Sequence, residues 1–155
     1  MLIESAPDFS PIRHTGQLIE ATDEPEVTPH TDWQPYEFKA APGDVTRPPP
    51  IITPYHYHLD WQIWFSGMRP RLEEEWLFRL AVRLLENDRH ITALFQAVPF
   101  PGKRPTYVKM DLYRYRFADW KDGSKAWWTR EWVGVYMPPI SLDHPLVQRY
   151  RKEPQ

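Results

Sequence analysis

The segment PYHYHLDWQIWFSG, from Pro54 to Gly67, constrains the fold more than any other part of the chain. Its proline-rich approach favours extended backbone, because proline lacks an amide hydrogen and restricts the residue before it. Trp61, Trp64 and Phe65 then recur at a spacing that places them on one face of a helix. A buried tryptophan contributes about 3–5 kcal/mol relative to alanine. We therefore predict a helix over Leu59–Ser66 whose two indoles and phenyl ring are buried as a core anchor.

The composition fits one small domain with a core of few, bulky residues. Aromatic side chains make up 15% of the 155 residues, and 18 residues are proline, about twice the usual share of ~5%. Cysteine is absent, which excludes a disulfide framework and thiolate chemistry. No apolar run approaches the ~20 residues of a membrane helix, and Glu4 interrupts the start, so no signal peptide is expected. Taken alone, the chain is expected to be soluble.

Charge is distributed unevenly along the chain. Residues 1–46 hold nine acidic and two basic side chains, a net charge of −7, whereas residues 99–155 hold eleven basic and six acidic ones, a net charge of +5. One interpretation is that acidic and basic ends attract each other within the fold. The other is that the basic part forms a surface for an acidic partner.

The first part of the chain predicts a lead followed by two short strands. Residues 1–16 show little periodicity, and we expect them to be loosely ordered. Gln17–Thr22 and Trp33–Ala40 have strand-like composition and are expected to form a hairpin-like pair. The main domain is expected to span residues 17–140, and residues 141–155 to form an exposed tail with a short helix near Pro145–Tyr150.

Two further helices are predicted in the middle of the chain. In Glu73–Glu86, apolar residues recur as one broad stripe, and acidic residues occupy the first turn, where the helix dipole favours them. Asn87 suits a left-handed position that ends this helix, and Asp88 suits an N-cap. Arg89–Val98 is expected to form a third, short helix.

A C-terminal hairpin completes the predicted architecture. Thr106–Ala118 and Ala126–Met137 are rich in β-branched and aromatic residues and are separated by a turn containing Gly123. We therefore predict an α+β fold, with three central helices packed against antiparallel strands that include this hairpin. One core is expected to contain Trp61, Trp64, Trp76, Leu80, Leu84 and Phe95.

The sequence gives little indication of catalytic or metal chemistry. His56, His58 and Asp60 alternate as three ligands would on one strand face, but they lie where extended chain gives way to helix, and no second cluster completes a site. A solvent-exposed or capping role is favoured, with Asp60 placed at the positive end of the helix dipole. No nucleophile elbow, phosphate loop or dinucleotide fingerprint occurs. We therefore expect no enzyme activity, no cofactor and no metal.

The predicted hairpin carries basic and aromatic side chains together. This composition is compatible with a base-stacking platform for single-stranded nucleic acid, with a sheet face packed against helices, or with a protein-binding surface. Exposed arginines and aromatic residues tend to anchor protein interfaces. The candidate protein-interaction residues are Tyr113, Arg114, Arg116, Trp127 and Arg130.

A series of segments in fixed order gives the chain a family resemblance. From about Gly16 onward these segments are LIEATD, DWQPYEF, APGDVTRPPP, PYHYHLDWQIWF, WLFRLAVRLLE, PFPGKRPTYVKMDLYRYRF and AWWTREWVGVYMPPIS. They resemble the C-terminal soluble region of the lipase maturation factor family. The family pattern often reads HQPRLDWQMWF, so His56-Tyr57-His58 departs from it, and no metal role is carried over to these histidines.

The resemblance implies a non-enzymatic role in the maturation of secreted lipases, with a lipase as the client protein. It implies a membrane protein whose soluble region faces the endoplasmic reticulum lumen in animals, or the outer side of the cell membrane in bacteria. Attachment to the membrane would come only from an N-terminal region missing from this chain. The alternatives are a truncated structural remnant without a client and a single-stranded nucleic-acid-binding module. The client's identity and the oligomeric state are not indicated.

Overall fold

A computed structural model describes residues 14–51, 56–67, 75–119, 121 and 123–152. In these residues a four-stranded antiparallel sheet is combined with four helices, which confirms the predicted α+β class. The fourth helix is the one expected near Pro145–Tyr150. The strands are β1 (His14–Thr22), β2 (Gln34–Pro35), β3 (Tyr107–Phe117) and β4 (Trp128–Ile140). The helices are α1 (His58–Gly67), α2 (Glu75–Leu85), α3 (Arg89–Thr92) and α4 (Pro145–Lys152).

The sheet has the strand order β2-β1-β3-β4. Strands β3 and β4 pair antiparallel, with Tyr113 opposite Trp132 and Phe117 opposite Trp128, so the predicted C-terminal hairpin is confirmed. Strand β1 lies on the other side of β3, with Ile19 opposite Met110. The β3–β4 register shifts at three places. Such irregularities twist and bend a strand locally.

The hydrophobic core lies where one face of the sheet meets the helices. Strand side chains on this face alternate with outward ones, and α2 contributes the apolar stripe that its periodicity predicts. Large, fully buried apolar side chains of this core include Phe38, Ile19, Ile63, Leu77, Leu84, Leu85, Met110, Met137, Val82 and Val108.

The prediction for α1 was right in its extent but wrong in its orientation. The side chains of Trp61, Trp64 and Phe65 are 44%, 37% and 41% exposed, whereas Leu59 and Ile63 are buried. The helix is apolar on both sides, so periodicity alone does not identify the face that packs on the sheet. The face with the smaller side chains packs inward, and the aromatic face remains at the surface.

Of the other four residues expected in the core, three are buried and one is only partly buried. Leu80, Leu84 and Phe95 are buried as predicted, and Trp76 is partly buried against the core. The anchor of the core is therefore aliphatic and comes mainly from α2, and the two indoles of α1 are not part of it.

The strand predicted for Trp33–Ala40 is much shorter, since only Gln34–Pro35 pairs with β1 as a strand. The backbone N–H of Tyr36 still donates to the carbonyl of Ile19, at 2.9 Å. The chain then leaves β1, because Glu37 forms an isolated antiparallel bridge with Ala97.

The third helix is also shorter than predicted, ending at Thr92. Its start agrees with the prediction: Asn87 has a φ of 54°, and the Asp88 side chain accepts a hydrogen bond from the backbone N–H of His90. After Thr92 the chain turns away, because the backbone N–H of Gln96 donates to the carbonyl of Glu37 at 2.7 Å. This tertiary hydrogen bond replaces the helical continuation expected for residues 93–98.

The segment predicted to be an exposed tail is only partly exposed. It contains α4, as expected near Pro145–Tyr150, but Val147 is fully buried in the core. The ring of Tyr150 meets that of Phe78 edge-on, with centroids 5.9 Å apart. An amphipathic helix gains stability by burying its apolar side, and α4 does so against α2.

Several expectations fall partly outside the described residues. This applies to the loosely ordered lead over residues 1–13, while His14–Gly16 already belongs to β1. It also applies to Glu73 and Glu74, the first acidic residues of the helix expected over Glu73–Glu86.

Ion pairs join the acidic and basic parts of the chain. Lys103 Nζ lies 2.6 Å from Asp23, and this hydrogen bond lowers the pKa of the Asp23 carboxyl. Lys109 Nζ lies 3.1 Å from Glu20 and 2.9 Å from Asp111. Burial by itself lowers the pKa of Lys109, but hydrogen bonds to the two carboxylates outweigh it and raise the pKa. These contacts favour the interpretation in which the oppositely charged ends attract each other within the fold.

The orientation of α1 can be tested by comparing two alanine variants. Ile63→Ala should lower the free energy of unfolding by about 2–4 kcal/mol, because it empties a buried site. Trp61→Ala should lower it by only about 1 kcal/mol, since the indole is nearly half exposed. Urea denaturation measures both. A loss for Trp61→Ala that equals or exceeds the loss for Ile63→Ala would contradict the observed orientation.

Candidate functional site

The outward face of α1 and the residue His56 just before the helix carry a cluster of aromatic rings. We call this cluster the aromatic ridge and define it as His56, Trp61, Trp64 and Phe65. The Trp61 ring lies 5.6 Å from that of His56, 5.4 Å from that of Trp64 and 4.9 Å from that of Phe65, centroid to centroid. Trp64 and Phe65 are 5.2 Å apart. These separations are typical of attractive tilted and edge-on pairs. The ridge is therefore a preformed surface cluster of large apolar groups.

A buried carboxylate fixes α1 against the loop that precedes it. Asp60 is 7% exposed, and its Oδ1 accepts hydrogen bonds from the backbone N–H groups of Ala40, at 2.6 Å, and Ala41, at 2.8 Å. Hydrogen bonds to a charged acceptor are stronger than neutral ones. The sequence predicted only that Asp60 interacts with the helix dipole. In the structure its carboxylate also attaches the loop over residues 38–47 to the inward side of α1.

The same loop is attached to the hairpin through Arg47. The guanidinium donates to the carbonyls of Phe38 and Ala41, both at 2.7 Å. The indole N–H of Trp128, at the start of β4, donates in turn to the carbonyl of Arg47 at 3.0 Å. Asp60, Arg47 and Trp128 thus form a polar connection from α1 to the sheet.

His56, His58 and Asp60 have three separate roles in the structure. The His56 ring packs on Trp61, Asp60 is directed toward the loop, and His58 lines a groove between helices. Across the described ranges, no three histidine or acidic side chains come together in a group that could hold a metal ion.

A groove with a volume of about 610 Å³ lies between α1 and α2, and we call it the α1–α2 groove. Helix α1, helix α2, the turn after α3 and the loops before α1 all contribute side chains to it. The lining residues are Lys39, Tyr57, His58, Leu59, Gln62, Trp76, Arg79, Leu80, Arg83, Ile91 and Leu94.

A second, smaller hollow adjoins the aromatic ridge. It has a volume of about 230 Å³ and is lined by Ala40, Ala41, Pro42, His56, Tyr57, Asp60, Trp61 and Trp64. Tyr57 belongs to the lining of both hollows and is 48% exposed. Two mainly apolar concavities therefore flank α1, and Tyr57 contributes to the lining of both.

The five predicted interaction residues of the hairpin lie on two faces and at one end of it. Tyr113 and Arg130 share a face, where the guanidinium lies over the Tyr113 ring at 5.2 Å. Arg114 and Arg116 alternate to the opposite face, and Arg114 lies 3.4 Å from Glu131 across the strands. Trp127 precedes β4 and is 50% exposed. The structure places these residues near one another, but it does not make them one continuous surface.

The exposed apolar residues of β4 were not among the interaction residues predicted from the sequence. Trp132, Val133 and Val135 are 56%, 42% and 61% exposed on this edge strand. Their apolar character is visible in the sequence, but only the strand order shows that β4 is an edge strand among the described residues. Beside them, burial raises the pKa of Tyr115 to about 12, and the pKa of Tyr113 is also raised, chiefly by burial. Both phenols are therefore neutral at physiological pH.

The contribution of Asp60 can be measured by substitution. Asp60→Ala should lower the free energy of unfolding by about 2–4 kcal/mol, because two backbone N–H groups lose their acceptor. Asp60→Asn, which keeps an oxygen in that place, should cost less, about 1 kcal/mol. Asp44→Ala is a matched control, since its exposed carboxylate makes only local hydrogen bonds, to Thr46. Equal losses for Asp60→Ala and Asp44→Ala in urea denaturation would contradict the role assigned to Asp60.

Comparison with known proteins identifies the family to which this chain is similar. The family model described as the lipase maturation factor C-terminal domain matches residues 13–138. Lipase maturation factor 1 of Mus musculus is 38% identical over 135 residues, which cover 83% of this chain and 23% of that protein. The protein of the same name from Homo sapiens is 39% identical over 121 residues, covering 74% and 21%. Lipase maturation factor 2 of Mus musculus is 38% identical over 120 residues, covering 75% and 17%.

The chain spans about a fifth of the length of these relatives. No solved structure matches it. The aromatic ridge, the α1–α2 groove and nearly all of the sheet lie within the residues that the family model matches.

Proposed function

Because the chain belongs to the lipase maturation factor family, we propose that it is a non-enzymatic folding-assistance domain that contacts a lipase client. The observation that carries the proposal is the exposed aromatic ridge, which lies within the matched residues. Large aromatic side chains are enriched at protein interfaces and contribute much of their binding energy. A contiguous exposed apolar patch on a small domain also marks an interaction site.

The ridge has the properties that a client-binding surface needs. Its rings pack on one another, so little side-chain freedom is lost when a partner binds, which favours affinity. Asp60 and Ile63 hold the helix from the inward side, so the outward rings are presented by a fixed backbone. An unfolded or partly folded lipase exposes apolar segments that such a surface can cover.

A non-enzymatic role agrees with the chemistry that the sequence offers. It carries none of the nucleophile, phosphate-binding or dinucleotide motifs of common enzyme classes. The alternatives raised by the sequence, a remnant without a client and a binder of single-stranded nucleic acid, receive no support from the relatives, whose names refer to lipase maturation.

The relation of this domain to a membrane is part of the proposal. In the described part of the chain, no helix is both long enough and apolar enough to cross a bilayer. We propose that membrane attachment, where the family has it, is provided by sequence other than this domain, and that the domain itself contacts the client.

The proposal predicts a loss of lipase maturation when the ridge is removed. The full chain is co-expressed with a lipase from the same genome, and active lipase is measured per amount of lipase protein. Trp61→Ala combined with Phe65→Ala should reduce this specific activity several-fold, because the partner loses its main apolar contacts. The double variant should still fold, with a free energy of unfolding only about 2 kcal/mol below that of the parent, since both side chains are roughly two-fifths exposed.

An unchanged specific activity after complete deletion of the chain would refute the lipase-maturation role. An effect of deletion, but none of the double variant, would retain the role and reject the ridge as the contact surface.

The five hairpin residues remain predicted contact residues for the client. Arg130→Ala with Trp127→Ala removes the two that are exposed, and Arg149→Ala, an arginine on α4, is a control. If the hairpin contacts the client, the double variant should lower co-purification of the lipase about tenfold or more, and the control should leave it unchanged. Equal co-purification with both variants would remove the hairpin from the contact surface.

A further inference from the structure

The hollow of about 230 Å³ beside the aromatic ridge is lined by aromatic side chains and by a carboxylate. We call it the ridge hollow. His56, Tyr57 and Trp61 line it together with Asp60. Tyr57 is 48% and Trp61 44% exposed, and His56 is exposed as well. A large part of each of these rings is therefore open to a ligand.

The carboxylate of Asp60 brings negative charge to the ridge hollow. Its Oδ1 holds the loop through the N–H groups of Ala40 and Ala41, whereas its Oδ2 is buried and has no hydrogen-bond partner among the described residues. A charge in low-dielectric surroundings is screened less than one in water. The ridge hollow therefore attracts cations, although the covered Oδ2 is not exposed to accept a hydrogen bond from them.

Two basic side chains near the loop leave this negative charge available. Arg47 directs its guanidinium to two backbone carbonyls rather than to Asp60. Lys39 lines the α1–α2 groove and not the ridge hollow, and its ammonium lies 5.4 Å from the centroid of the Tyr57 ring. Lys39 thus weakens the attraction of a second cation, but it does not fill the space that this cation would occupy.

We propose that the ridge hollow binds a small quaternary ammonium group, such as the one in choline. The negative face of an aromatic ring attracts a cation that lies within about 6 Å of its centroid, and sites built from several rings bind quaternary ammonium ligands in this way. The rings of His56 and Trp61 have centroids 5.6 Å apart and are tilted by 39°, so one cation can lie close to both. Tyr57 adds a third aromatic residue to the lining.

Size and hydration favour this ligand over larger molecules and over primary amines. The volume of about 230 Å³ is below the roughly 300–1,000 Å³ that is typical of drug-sized ligands. A quaternary group has no N–H, so it loses no hydrogen bond to water when it enters, whereas a primary ammonium loses several. The inference does not depend on the proposed lipase client, because it is tested with the chain alone.

Binding is tested by titrating the full chain with choline chloride and following the indole N–H signals by NMR, with sodium chloride at equal ionic strength as the reference. The Trp61 signal should shift, and the signal of Trp132, an exposed indole on β4, should not. The neutral alcohol 3,3-dimethyl-1-butanol has the shape of choline without its charge and should bind at least tenfold more weakly. No shift of Trp61 at tens of millimolar choline, or equal affinity for the neutral alcohol, would overturn the proposal.

Ethanolamine tests the preference for a quaternary group. Its primary ammonium should bind several-fold more weakly than choline, because it gives up hydrogen bonds to water on entering the ridge hollow. Ethanolamine that binds as tightly as choline would overturn the assignment to a quaternary ammonium.

The aromatic walls are tested by leucine substitutions, which keep apolar volume and remove the ring. Trp61→Leu and Tyr57→Leu should each weaken choline binding about tenfold, and both variants should fold because the side chains are nearly half exposed. Trp132→Leu removes a similarly exposed ring outside the ridge hollow and should leave choline binding unchanged. Choline binding that survives both ridge-hollow substitutions would overturn the proposed site.

Two further substitutions test the recognised charge in opposite directions. Asp60→Asn keeps an oxygen for the loop and removes the negative charge, so choline binding should weaken several-fold. Lys39→Gln removes the nearby cation and should strengthen choline binding about two- to threefold. Choline binding that responds to neither substitution would overturn the assignment of a cation site.

Sedimentation with lipid vesicles identifies the source of the ammonium group. Sedimentation with phosphatidylcholine but not phosphatidylglycerol vesicles, reduced by excess choline, would support the site with lipid head groups as its ligand. A choline-induced shift without sedimentation would support a dissolved ligand. Equal sedimentation with both kinds of vesicle, without a shift in choline, would assign the rings to general contact with lipid and overturn the proposal.

Discussion

The hydrogen bonds of Asp60 decide how the central helix lies in this protein. One carboxylate oxygen, held inside the fold, accepts from two consecutive backbone N–H groups, those of Ala40 and Ala41. Hydrogen bonds to a charged group contribute about 1.5–3 kcal/mol each. If α1 turned its other face inward, this carboxylate would leave the loop, and the two N–H groups would lose their partner. The orientation of Ile63 toward the core and of Trp61 toward the surface follows from the same geometry.

The aromatic residues lose only part of their burial in this arrangement. Trp61, Trp64 and Phe65 remain more than half covered, because they pack on one another along the helix. Ring pairs of this kind contribute about 0.5–1.5 kcal/mol beyond the area they bury. The helix therefore combines a firmly attached inner face with a stable apolar outer face. A surface of this type can bind a partner without first unfolding or rearranging.

The functional features of the described residues are concentrated on the helical side of the sheet. Tyr57 lines both the hollow beside the aromatic ridge and the α1–α2 groove. The ridge is aromatic, whereas the groove is lined mainly by apolar side chains of α1 and α2 together with Lys39, Arg79 and Arg83. The hairpin carries Arg114 and Arg130 on opposite faces, and its strand β4 lies at the edge of the sheet. Its hydrogen-bonded connection toward α1 runs through the loop that contains Arg47. The ridge, the groove and these two hairpin arginines lie within the residues that match the lipase maturation factor family model.

Local patterns in the sequence were sufficient for the α+β class, the C-terminal hairpin, the cap at Asp88 and the extent of α1, because these depend on periodicity, turn residues and backbone preferences. They were also sufficient for the family, through segments such as DWQIWF. They were not sufficient for the inward face of α1, since both faces are apolar and the deciding hydrogen bonds join Asp60 to residues about twenty positions earlier. The short β2 and α3 have the same cause, a long-range pairing of Glu37 with Ala97 that no local pattern encodes. The groove likewise exists only in the tertiary structure, because four separate chain segments must meet before its leucines and arginines enclose one space.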